Sequence, residues 1–258
     1  MGDDDAMAAE FDTVAEWSAE AAVSLGREHY VPAGCRGSGS PAALDWLLER
    51  LDVEHGSVLL DVGAGVGGAA AYAVAQVGAR AVLLEPAAGA CRAARRLFAL
   101  PTARADAAAL PVADASVRTL WCLGVLCTMD DQLAMLRELR RVLSPDGRAG
   151  LLIFVAAEPD PDGEPSDNDF PTRVELAGQL RAAGLTVADE TTESRLAKIP
   201  NDWQARADAV ESEVARRHGE HPAWRQAQEQ SGAIGRLISD GAVGGHLLVV
   251  HPSSAGGR

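Results

Sequence analysis

The sequence predicts an α/β fold built on a doubly wound, mostly parallel sheet, and three observations carry that expectation. From Ser57 onward, short apolar runs alternate with longer helical patterns. Such alternation implies right-handed crossovers and a sheet covered on both faces. The first run, Val58-Leu-Leu-Asp-Val62, opens at once into glycines at alternating positions, Gly63, Gly65 and Gly67. A second run, Ala81-Val-Leu-Leu84, ends in Glu85, seventeen residues after Gly68.

The elements follow in order. Residues 9–25 carry Phe11, Val14, Ala15, Ala22 and Leu25 mostly on one helical side. Residues 26–39 read as a glycine-bearing connection. Ser40-Pro41 is a helix start, an N-cap hydroxyl with proline in the first turn. Leu44, Leu47, Leu48 and Leu51 then recur at core-facing spacing. Strands are expected at 57–62, 80–84, 101–105, 118–123 and 148–155, with helices near 67–77, 87–98 and 130–143. Residues 156–171 are a loop rich in Pro, Asp and Glu. Thr172-Arg-Val-Glu175 has the form of a capping box, and its helix closes at Gly184. A strand near 185–190, a polar helical stretch over 200–236 and a last strand over 245–250 complete the chain. No internal repeat is present. Residues 253–258 read as a disordered tail, and Asp3 to Asp5, within Met1–Asp5, as a frayed, solvated one.

Composition narrows the function classes. The 258 residues carry a formal charge of −14, and residues 1–30 alone hold eight acids against one arginine. That balance repels nucleic acid and anionic membranes, which need a basic footprint. A small molecule, neutral or cationic, suits it better. No apolar stretch approaches the ~20 residues of a membrane span, and the acidic start is unlike a secretory signal. Cys35, Cys91, Cys122 and Cys127 form no C-x-x-C pair and no metal-ligand spacing, so reduced thiols in a cytoplasmic protein are expected and no metal site is.

The chemistry concentrates at the glycine turn. Glycines there permit positive φ and let the backbone approach a ligand where a Cβ would collide. A carboxylate at the tip of the neighbouring strand is placed to grip a ribose diol. Gly63, Gly65 and Gly68 also satisfy the dinucleotide pattern G-x-G-x-x-G. Asp61 separates the two readings, because a carboxylate beside the turn repels a pyrophosphate and attracts an ammonium group.

Asp61-x-Gly63-x-Gly65-x-Gly67 resembles motif I of the class I S-adenosylmethionine-dependent methyltransferases. Three further blocks fall in that family's order: Ala105-Asp-Ala107 with Leu110-Pro-Val112, Leu120-Trp-Cys-Leu-Gly-Val-Leu126, and Arg141-Val-Leu-Ser-Pro-Asp-Gly-Arg-Ala-Gly-Leu-Leu-Ile-Phe154. The resemblance is close over residues 40–155 and loose over 172–252. It implies a Rossmann-like seven-stranded sheet of order 3-2-1-4-5-7-6 with the last strand antiparallel, under a helical lid. It divides the chain into an N-terminal lid segment (1–39) and a methyltransferase domain (40–252), with 200–236 inserted between strands six and seven.

The same resemblance implies S-adenosylmethionine as cofactor, with S-adenosylhomocysteine as product. Asp61, Gly63, Ala64, Gly65 and Gly67 would hold its methionine part. Glu85 would bind the ribose, with Pro86 shaping the turn beside it, and Asp106 and the Ala107 N–H would read the adenine edge. Cys122 and Leu123 would offer carbonyls. The chain departs from the pattern at Arg118, at Pro145-Asp146-Gly147, which still suits a turn, and at Cys127-Thr128-Met129, where many small-molecule relatives carry a histidine. Alternative bases are His29, Tyr30, His218 and His221. His246 and His251 flank the final strand, and Trp203 and Trp224 are either an aromatic lid or packing residues. The expected activity is methyl transfer to O, N or C of a small acceptor. The rivals are a protein of this fold that binds the cofactor without transferring methyl, such as a cyclase, and a nicotinamide-dependent oxidoreductase, against which Asp61 and the lack of a Tyr-x-x-x-Lys pair both count.

Overall fold

The computed structural model describes residues 10–253, with side chains from Asp12 onward. The expectations for Met1–Asp5 and for 254–258 lie outside the described residues. Among those described, seven strands form one sheet of order β3-β2-β1-β4-β5-β7-β6, where β1 is Val58–Val62, β2 Arg80–Glu85, β3 Thr102–Arg104, β4 Val117–Leu123, β5 Leu143–Ala156, β6 Leu185–Thr192 and β7 Val243–Pro252. Strands β1 to β5 pair in parallel, and β7 runs antiparallel to both β5 and β6.

Helices α1 (Ala15–Leu25), α2 (Tyr30–Gly34) and α3 (Pro41–Arg50) precede the sheet. Ser40 caps α3 by accepting from the Ala43 N–H, and Leu44, Leu47 and Leu48 are buried. Helices α4 (Gly68–Val77), α5 (Ala88–Phe98) and α6 (Gln132–Val142) make the crossovers. Helix α7 (Arg173–Ala182) opens with the expected box, in which Thr172 and Glu175 satisfy each other's backbone N–H. Two long helices, α8 (Asn201–His218) and α9 (Pro222–Ser239), stand between β6 and β7.

Two packed faces hold the sheet. One buries Leu60, Val62, Leu120, Cys122, Leu151, Ile153 and Leu248 under α6 and α7. The other buries Leu59, Trp121, Leu123, Leu152, Leu247 and Val249 under α3 and α4. The alternation within β4, β5 and β7 is the period-2 pattern of strands buried on both sides.

Several expectations need correction. The first helix starts at Ala15, after a five-residue π turn over Glu10–Val14, because residues 10–14 bend to meet α5 and α9. Residues 26–39 are not merely a connection. They hold the turn Arg27–His29 and α2, both packed on α8. Pro145–Gly147 lies inside β5 as a register shift: Val117 pairs with Leu143 but Thr119 with Arg148. The last strand is longer than 245–250, so His246 and His251 sit within it rather than flanking it.

Candidate cofactor and acceptor site

The carboxyl ends of β1, β2 and β3 bring Asp61, Glu85 and Asp106 to one edge of the sheet, where open α/β folds bind ligands. Gly63, Gly65 and Gly67 all have positive φ, at 70°, 53° and 83°. They turn β1 into α4 with the Gly63 and Ala64 N–H groups donating to Leu84 O at 2.8 and 3.1 Å. A Cβ on Gly63 would overlap Val125, and one on Gly67 would press on Leu83. The position a Cβ would take on Gly65 has nothing within 4 Å, so that stretch of turn faces open space.

Asp61 is 2% exposed, flanked in register by Leu83 on β2 and Trp121 on β4. Burial pushes its carboxyl up to about 7, with the Glu85 charge adding to the rise while the Trp121 indole and the Ala70 N–H oppose it. The Trp121 indole faces the carboxyl, yet neither Asp61 Oδ2 nor Trp121 Nε1 reaches good hydrogen-bond geometry with any described residue. A buried carboxylate oxygen without a partner is expensive unless a ligand supplies one. Cys35 and Cys122 lie close enough that the Asp61 charge adds to the burial that raises both thiols.

Glu85 is also buried, and burial raises its carboxyl. Its Oε2 accepts from the Gly65 N–H at 2.8 Å and its Oε1 from the Ala87 N–H at 2.9 Å. A carboxylate offers about four acceptor positions, so this leaves room for a diol. Pro86 is exposed, and its carbonyl accepts from Arg104 Nε at 2.7 Å. Asp106 is exposed and accepts from the Ala108 N–H at 2.8 Å, which makes it a turn-capping residue as it stands. Ala107 is buried in the main core. Cys122 and Leu123 close β4, both buried, on opposite faces of the sheet.

The loop carrying Ala107 is held by one arginine. Arg141 donates to the carbonyls of Leu110 and Val112 at 3.1 and 2.9 Å and pairs with Glu138 and Asp114. Glu138 in turn accepts from the Leu110 N–H.

Of the four alternative bases, Tyr30 packs in one cluster with Val66 of the glycine turn. His218 stacks on Trp17 with ring centres 4.0 Å apart, and His221 meets the same indole edge-on while capping α9. His29 Nδ1 is buried without a hydrogen-bond partner among the described residues, 3.9 Å from Glu28 Oε1. Tyr30 meets Phe98 edge-on. Trp203 packs edge-on to Tyr72, and Trp224 is buried among Val14, Ala19, Ala22, Val210 and Val214. Both tryptophans are therefore packing residues that join α8 and α9 to the rest of the molecule.

Apolar side chains converge around the carboxyl end of β5: Cys127, Phe154, Ala156, Phe170, Leu237 and Val243. The Cys127 thiol is pushed up to about 11 by burial, which makes it a neutral lining group rather than a nucleophile. Sequence reasoning missed Glu193, a half-buried carboxylate just past β6 at this same edge. Its only signal there was an acid following a strand. Among the described residues no cluster could hold a metal ion, and no helix is long and apolar enough to cross a membrane.

Comparison with known proteins bears on the fold and on the domain around this edge. Residues 60–151 match the family model of a methyltransferase domain. Over 116 residues the chain is 37% identical to Methyltransferase GfsG of Streptomyces halstedii, a match that spans 42% of each protein. Among solved structures, a SAM-dependent methyltransferase from Geobacter sulfurreducens in complex with S-adenosyl-L-homocysteine aligns with a TM-score of 0.62 at 19% identity, over 84% of this chain and 92% of that one. The [4+2]-cyclase SpnF aligns with a TM-score of 0.64 at 24% identity, over 82% of this chain and 80% of that one.

Proposed function

We propose that the chain is a class I S-adenosylmethionine-dependent methyltransferase, which its match to a methyltransferase-domain model over residues 60–151 supports, and that it moves a methyl group from S-adenosylmethionine to a nucleophilic O, N or C of a small acceptor. The observation that carries this reading is the buried Asp61 carboxyl, whose Oδ2 makes no hydrogen bond of good geometry, beside a glycine turn that is open at Gly65. The residues fit the cofactor. Asp61 would meet its ammonium group, the free lone pairs of Glu85 would take the ribose hydroxyls, and the turn at Asp106–Ala107 would border the adenine. When bound, the cofactor supplies a methyl group already activated on a sulfonium.

The chain's own residues then have to align and to dry the site, the two contributions that matter most when the leaving group is preactivated. Apolar groups from Cys127 to Val243 would exclude water on the acceptor side, and α8 with α9 would cover it. The acidic surface favours a neutral or cationic acceptor over a nucleic acid or an anionic membrane. Four buried, unpaired thiols fit a reducing, cytoplasmic setting.

Incubation with methyl-labelled S-adenosylmethionine and a panel of small metabolites tests the reading, which expects a product heavier by one methyl. A second reading, cofactor binding without methyl transfer, draws on the likeness to a cyclase and on the packing of His218 and His221 against Trp17. Tight cofactor binding with no labelled product across the panel would favour it.

A further inference from the structure

A continuous strap, residues 34–40, lies across the carboxyl ends of β1, β4 and β5. Its contacts are backbone approaches that only glycine admits. A Cβ on Gly68 would overlap the Gly34 backbone, and one on Gly124 would overlap Gly37 O. Gly39, at φ 91°, packs against Leu152 of β5. Cys35 within the strap is buried, and the Asp61 charge adds to the burial that raises its thiol. The strap thus covers the cofactor edge, and whatever fixes it also fixes that cover.

Glu193 sits at the strap's far end. Its carboxylate occupies the space left by Gly245, where a Cβ would overlap Oε2, and Oε1 lies 3.8 Å from the Cβ position of Gly39. Gly245 is not among the positive-φ glycines, so it is there for room rather than for backbone shape. The Ser40 N–H faces Glu193 and favours its charged form, while burial raises the carboxyl. No basic side chain pairs with it among the described residues. The residue also belongs to the turn Glu193–Arg195 that leads into α8, and α8 packs on α1 and α2.

We propose that Glu193 is a positioning residue for the cofactor site: a latch that ties the strap to the root of the α8–α9 pair and so controls closure over Asp61. The inference rests on the methyltransferase reading for its purpose, but its physical content concerns the ligand-free chain. A carboxylate seated between the Gly39 and Gly245 backbones holds the strap by packing and charge together, so its loss should be readable locally.

Hydrogen–deuterium exchange on the full chain tests this. In Glu193→Ala, exchange over residues 35–40 should rise at least about tenfold while β1 and β4 keep wild-type protection. Glu193→Gln retains an acceptor oxygen and should stay near wild type. Gly245→Ala keeps the acid but fills its seat, and should reproduce the alanine pattern, which covers the case of a poorly folding Glu193→Ala. In parallel, the dissociation rate of S-adenosylhomocysteine should rise by a similar factor in the two latch-breaking variants. Unchanged exchange over 35–40, or a rise shared equally by the central strands, would overturn the latch. A wild-type chain that does not bind S-adenosylhomocysteine would instead overturn the functional reading, and the exchange data would still decide the latch.

Discussion

Replacing Asp61 with asparagine should stabilise the ligand-free protein, and should do so more as pH rises. The carboxyl is raised by burial from its ordinary 3.8 to about 7. A raised carboxyl favours the folded state while protonated, so its contribution is fully present below the unfolded value and is lost as pH climbs through the folded one. The gap of roughly three units corresponds to a ceiling of about 4 kcal/mol. Between about pH 5 and about pH 8, ionisation of this one group should remove about 2–3 kcal/mol. Asparagine keeps the shape and cannot ionise. Urea unfolding followed by tryptophan fluorescence should therefore show the variant gaining about 2–3 kcal/mol on the wild type across that range. The same variant should bind S-adenosylhomocysteine more weakly, because the ligand's ammonium loses its counter-charge, and wild-type affinity should strengthen as pH rises toward 7. A difference between the two proteins that does not change with pH would refute the reasoning, since Asp61 would then already be ionised at low pH.

Other perturbations have separate readouts. Glu85→Ala should weaken S-adenosylhomocysteine binding by about 1–3 kcal/mol in calorimetry, the effect of leaving buried polar groups without a partner. Gly124→Ala places a methyl group on Gly37 O, so limited proteolysis should cut the strap sooner with little change in the central sheet. Arg141→Met removes the donors that hold Leu110 and Val112, and it should lower cofactor affinity through a loosened adenine-side loop. Trp224→Ala should destabilise by about 3–5 kcal/mol, the range for emptying a buried aromatic site, seen as a lower urea midpoint.

The sheet was legible because its strands are short apolar runs broken by strong turn signals. Val58–Val62 ends in glycines, Arg80–Glu85 ends in an acid before proline, and the helices between them have core-facing stripes. The order of strands came from likeness to a family rather than from local pattern, since pairing is non-local. Asp61 and Glu85 were legible for the same reason as the strands: each is a charge at the end of an apolar run. Burial turned out to be their defining property, and a single sequence carries no direct sign of it.

The strap was not legible. Gly34, Gly37 and Gly39 read as a glycine-bearing connection, whereas their value lies in close approach to the backbones at Gly68 and Gly124 and to the Leu152 side chain. Those partners are far away in the chain. Glu193 escaped notice because its seat depends on Gly245, which follows it by two helices. Trp203, Trp224 and the histidines at 218 and 221 showed the reverse problem. Their residue types suggest chemistry, but Trp17, Tyr72 and Val14 claim them for packing.

Calorimetric titration of the purified chain with S-adenosylhomocysteine tests the central claim most directly. The account predicts saturable binding to one site per chain, weakened by Glu85→Ala and competed by S-adenosylmethionine. Absence of binding, or saturable binding of NAD in its place, would contradict it.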